Sequence, residues 1–119
     1  MANDQKSEKW VFTAAMDVDA DKEALFNEVY QTEHIPTILQ VPGVLSCTRM
    51  KLDVLKMTMG GETKVMDPQG APRYATVYEL TSPDVLTSRA FAEAVDQGRW
   101  PTHVRPFTKN RRHTLHKII

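Results

Sequence analysis

Cysteine is almost missing from this chain: Cys47 is the only one among 119 residues. No intramolecular disulfide can form, which excludes a cystine-stapled secreted scaffold and fits a reducing compartment. An excess of either charge is missing too, since fifteen Lys and Arg balance fifteen Asp and Glu. That balance argues against a dedicated nucleic-acid binder and against electrostatic attraction to anionic membranes. No apolar run approaches the roughly 18 residues of a membrane span, and the polar start MANDQKSEK leads into no signal-peptide core. A cytoplasmic protein is the expectation. No Gly-rich phosphate loop is present, so no nucleotide cofactor is expected. Metal binding is not expected either, because no Cys–His cluster or second carboxylate pair accompanies the histidines. His113 and His116 are three apart, which in a strand sends them to opposite faces.

What is present suits one domain. The apolar fraction, 41%, is enough for a single core at this length, and 25% charged residues supply its surface. Residues 1–8 are polar and read as a flexible N-terminus, with one domain over 9–119. Trp10 to Met16 is rich in strand formers and apolar on both faces. From about Ala20 the spacing turns helical, with Leu25 and Val29 on one stripe and Phe26 and Tyr30 beside it. Pro36 disfavours helix at Ile35, so the helix is expected to end near His34. Pro42-Gly43 is a turn, and Val44 to Leu52 the second strand. Residues 53–72 read as an insertion, with Gly60-Gly61 suited to the tight turn of a small hairpin. That insertion is either a mobile lid or a segment the fold merely tolerates.

Tyr74 to Leu80 alternates as a third strand. Ser82-Pro83-Asp84 starts a second helix, with Ser as cap and Pro in the first turn, and Gly98 closes it. Arg99 to Pro106 is punctuated by proline and reads as irregular. Lys109 to Ile118 is a last, basic strand. The order strand, helix, strand, strand, helix, strand is the ferredoxin-like βαββαβ pattern of the α+β class. It gives a four-stranded antiparallel sheet with two helices on one face. Trp10 and Phe12 oppose Val11, and Tyr74 and Tyr78 oppose Ala75 and Val77, so both sheet faces carry apolar groups. The second face then needs a cover, and a homodimer through the open sheet faces supplies it.

The segment Glu33-His34-Ile35-Pro36 followed by Val41-Pro42-Gly43-Val44 resembles the EthD-like branch of the dimeric α+β barrel superfamily. The resemblance is concentrated in residues 25–50 and extends by topology alone over 9–118. It implies a ligand pocket between the sheet and the helices of each subunit. It also implies a range of activities that includes small monooxygenases, lactone isomerases, polyketide cyclases and haem-binding enzymes.

His34 is the candidate catalytic residue. A histidine at a helix C-terminus sits at the negative dipole end, which favours its protonated form. Aimed into a helix–sheet cleft it would serve as general acid or base on a bound carbonyl or phenol; otherwise it caps the helix. Tyr30, one turn earlier, and Tyr78 are candidate substrate-binding groups, or core residues. Glu33 is expected to face solvent. Arg49, in mid-strand, should pair with an acid such as Glu79 or with a ligand. Trp100 and His103 lie where a chain folds over a pocket mouth. Cys47 reads as a small buried hydrophobe. The expected ligand is a small apolar or aromatic carbonyl compound, turned over without a cofactor. The alternatives are a non-catalytic binding or structural dimer and, third, haem held by His34.

Overall fold

Alternation along two strands decides how the sheet is dressed. In β5 (Tyr74–Leu80) the residues Tyr74, Thr76, Tyr78 and Leu80 are buried, while Ala75, Val77 and Glu79 between them are only partly covered. β1 (Trp10–Val18) lies antiparallel to β5 with Phe12 opposite Tyr78 and Met16 opposite Tyr74, so the large side chains share one face. The computed structural model describes residues 8–119. Most of the N-terminal segment expected to be flexible lies outside the described residues.

The four-stranded sheet has the order β2-β5-β1-β6, with β2 at Val44–Lys51 and β6 at Thr108–Lys117, and every pairing is antiparallel. This is the ferredoxin-like arrangement expected from the element order. The buried core fills the space between the sheet and the helices: Phe26, Val29, Tyr30 and Ile38 from the first helical segment, Val85 and Ala94 from the second, and Trp100 and Val104 beyond it. Among the described residues no helix is long and apolar enough to cross a membrane.

The first helical segment does not stop at His34. After α1 (Glu23–Val29) the backbone widens into a π turn over Tyr30–His34 and continues as α2 (Ile35–Ile38). Pro36 has no N–H for the carbonyl four residues back. The wider turn absorbs that loss, with the Ile35 N–H reaching the Tyr30 carbonyl. The second helical segment is shorter than its periodicity predicts. A 3-10 turn over Pro83–Thr87 gives way at Ser88, whose ψ of 154° breaks the helix before α3 (Arg89–Ala94). Ser82 accepts from the Asp84 N–H as expected, and Ser88 acts as a second cap by accepting from Phe91 N–H. Arg99 to Pro106, expected to be irregular, instead holds a second π turn over Trp100–Val104 and a 3-10 turn over Arg105–Phe107.

Within 53–72 a hairpin forms from β3 (Leu55–Met59) and β4 (Glu62–Met66), turning at Gly60-Gly61, both at positive φ. These two strands pair only with each other. The hairpin projects, and the radius of gyration, 16.9 Å, exceeds the roughly 13–14 Å of a compact domain this long. Its register puts Leu55, Met57, Met59 and Met66 on one side, largely unburied.

Candidate functional site

The widened turn at Tyr30–His34 turns both of its end residues inward. Tyr30 and His34 are buried, with ring centroids 5.0 Å apart and edge-on. Trp100 completes the group, stacked on His34 at 4.3 Å and meeting Tyr30 edge-on at 5.0 Å. The three rings wall one side of a cavity of about 210 Å³ between the helices and the sheet. Phe12, Ala14, Met16 and Tyr78 form its floor, and Phe91 and Val95 its far wall. Ile38, Arg105, Arg111 and His113 complete the lining.

A contact between distant segments holds Trp100 in place. Glu33, expected to face solvent, instead accepts from the Arg99 backbone N–H at 2.9 Å and from Arg99 Nε at 2.6 Å. Arg99 also reaches Glu28 at 2.7 Å. The Glu33 carboxyl is held below its ordinary value chiefly by these hydrogen bonds from Arg99. Gly98 makes the approach possible: at φ 64° it suits glycine, and a Cβ there would sit 2.6 Å from Glu33 Oε1. Trp100 is therefore tied directly to the turn that carries His34.

His34 is 7% exposed, and its Nδ1 is buried with no hydrogen-bond partner. Burial, with Arg105 adding like charge, pushes its pKa down to about 4. This corrects the expectation of a protonated, helix-capping histidine: the helix runs on past it, so no negative dipole end is present, and desolvation decides. The neutral imidazole has one donor and one acceptor nitrogen. An unpartnered buried polar atom costs roughly 1–3 kcal/mol, a strain that Nδ1 carries in this packing.

Burial raises Tyr30's pKa, against hydrogen bonds from Thr76 and Tyr78 that lower it. Tyr78 is raised as well, again mainly by burial. Both phenols therefore stay protonated at neutral pH and can donate. Cys47, beside Tyr78 across β2 and β5, is pushed up to about 11 by burial, which leaves it a poor nucleophile.

Of the residues singled out in the sequence, His34, Tyr30, Tyr78 and Trp100 surround this one cavity, whereas Arg49 and His103 do not line it. Arg49 lies behind Tyr30, its guanidinium 4.8 Å from the ring centre and bonded to Asn27 Oδ1 at 2.7 Å. It does not pair with Glu79. Arg49 stands opposite Thr76 on the helix-covered face, while Glu79 faces the other way and meets Lys9 at 3.7 Å. His103 is exposed and pairs locally with Thr102. Arg111 and His113 were missed. Strand parity could have placed His113 beside Ala14, but Arg111 depends on a bulge described below. Residues 53–72 contribute nothing to the lining.

Among the described residues no group of three His, Cys, Asp or Glu side chains is placed to hold a metal. An apolar cavity of about 150 Å³ takes a single benzene ring, so a space of about 210 Å³ accommodates a substituted aromatic ring.

The fold is that of a ferredoxin-like α+β domain, with a helix–sheet cavity. Solved structures agree. One is an EthD family protein from Bacillus halodurans, 11% identical over 92% of this chain and 99% of that one, with a TM-score of 0.56. A second is MhuD, a haem degrader from Mycobacterium tuberculosis, 14% identical over 92% and 95%, TM-score 0.55. A third is SnoaB, a cofactor-independent oxygenase from Streptomyces nogalater, 16% identical over 90% and 89%, TM-score 0.52. The EthD-like resemblance of the His34–Pro36 and Pro42-Gly43 segments thus has a counterpart in fold. No protein-family model matches the sequence, and no curated protein matches it significantly.

Proposed function

We propose that the chain forms a homodimer whose helix–sheet cavity binds a small aromatic or polyketide-like carbonyl compound and turns it over by cofactor-free acid–base chemistry. The observation that carries this reading is the buried, neutral His34, with an unpartnered ring nitrogen, in a cavity walled by aromatic rings. His34 accepts a proton from an acidic phenol or activated carbon of the ligand as the anion forming beside it stabilises the imidazolium, and Tyr30 and Tyr78 orient the ligand's oxygen. The fold likeness to a cofactor-independent oxygenase supports chemistry of this kind. The single cysteine supports a reducing, cytoplasmic setting.

A panel of one- and two-ring aromatic carbonyl compounds, screened by thermal shift and then assayed for turnover, tests the reading. His34→Gln should weaken binding of a hit about tenfold and abolish its turnover. Binding and turnover that survive the substitution would remove His34 from the chemistry. Binding without turnover in the wild type would leave a non-catalytic binding dimer.

The dimer rests on the uncovered sheet face. Val11, Thr13, Thr48, Met50, Ala75 and Val77 share it by register, with Glu79, Arg112 and His116 also on that side. Such a face needs a partner, and the side of the projecting hairpin with Leu55, Met57, Met59 and Met66, which also carries Glu62 and Lys64, offers a second surface to the same copy. Sedimentation at micromolar concentration should give twice the 13.5 kDa chain mass, and Val77→Asp should halve it with the helical spectrum retained. A stable wild-type monomer would refute the packing argument.

A further inference from the structure

The cavity is electrically lopsided. Arg105 and Arg111 line it, and no carboxylate does. Arg105 is already committed, bonded to the Val95 carbonyl and to Asp96 Oδ1, both at 2.8 Å. Arg111 is not. Its Nε and Nη2 meet only neutral oxygens, those of the Thr108 hydroxyl and the Arg105 carbonyl, and no ion pair among the described residues includes it. A guanidinium pinned by Nε and Nη2 and lacking a counter-ion keeps Nη1 free to donate charge-assisted hydrogen bonds to an anion.

The backbone is shaped to put Arg111 there. Between Ala15 opposite Arg112 and Asp17 opposite Lys109, β6 carries two residues, Asn110 and Arg111, against the single Met16 of β1. This bulge holds Asn110 at φ 50°, a conformation asparagine tolerates better than most residues. Asn110 is fastened by hydrogen bonds to Asp17 Oδ2 at 3.0 Å and to the Gly70 carbonyl at 2.9 Å. Met16 lies in the cavity floor, so the bulge brings Arg111 to the same space. The two histidines of the lining feel the same field: Arg105 lowers the pKa of His34, and Arg111 that of His113, in each case behind the larger effect of burial.

We propose that the ligand of this cavity is an aromatic acid, its ring held among Tyr30, Tyr78 and Trp100 and its carboxylate received by Arg111. This rests on the aromatic-ligand reading given above and adds the ligand's charge to it.

Calorimetry at neutral pH with two matched pairs, benzoate against benzamide and salicylate against salicylamide, tests the charge separately from the ring. In the wild type the acids should bind at least about tenfold more tightly than their amides. Arg111→Gln should erase that preference while leaving amide affinity unchanged, and Arg111→Lys should keep most of it. Amides that bind as well as acids, or a preference that survives Arg111→Gln in a variant with an unaltered circular dichroism spectrum, would overturn the proposal and leave the aromatic-ligand reading standing. If neither acids nor amides bind, both readings fall together.

Discussion

Trp100→Ala is expected to be among the most damaging single substitutions in this protein, costing about 3–5 kcal/mol of folding stability. The ring is 5% exposed, stacks on His34, meets Tyr30 edge-on and lies 6.1 Å from Phe26. Removing it leaves a void beside an existing cavity, where the surrounding rings have little to collapse onto. A chain of this size typically has about 5–15 kcal/mol in total, so the variant should unfold well over ten degrees earlier, at roughly 4 °C or more per kcal/mol. Trp100→Phe, which keeps a ring against His34, should recover more than half of the loss. Denaturant titration of both variants checks this, and a Trp100→Ala cost below 1 kcal/mol would show that the ring is not packed as described.

The same substitution should reach His34. Water entering the space left by the indole relieves the desolvation that holds the imidazole neutral, so its pKa should climb from about 4 towards its ordinary 6.5. The Glu33–Arg99 contact would remain but would no longer have a ring to position.

What could be read from the sequence followed from local alternation. Tyr74 to Leu80 declares itself a strand because its large and small residues alternate with period two, and the structure has it at the same bounds. Ser82-Pro83-Asp84 declares a helix start through capping chemistry. His34, Tyr30 and Tyr78 could be named because helical and strand periods place them facing one side. The helix end could not be read, because Pro36 admits two solutions, a stop or a widened turn, and packing of Tyr30 and His34 against Trp100 accompanies the second. Glu33 and Arg99 are 66 residues apart, so their contact leaves no local trace. Arg111 depends on a register shift between β1 and β6, which exists only once the strands are paired. Arg49 was drawn in by its mid-strand charge and His103 by its place in the proline-rich segment, and each has found a partner elsewhere.

Lowering the pH from 7 to 4 should destabilise the wild type by roughly 3 kcal/mol through His34 alone. In the folded protein its pKa is about 4, and in the unfolded chain it returns to the ordinary 6.5. Between those values the unfolded state binds more protons, so stability rises with pH across this window. The contribution is fully present above about pH 6.5 and is lost as pH falls through the folded value. Burial of His113 works in the same direction. The depressed carboxyls of Asp17, Glu23 and Glu33 add their own losses near the acid end. Comparing wild type with His34→Gln at each pH cancels these shared effects. The stability difference between the two should therefore shift by roughly 3 kcal/mol against the wild type from pH 7 to pH 4. A difference that stays constant would mean that His34 is hydrated or already charged. An NMR titration of its ring protons gives the same answer directly, with a midpoint near 4 if the imidazole is buried and neutral. That midpoint also sets the acid edge of any turnover that uses His34 as a base, placing it well below the one an exposed histidine would give.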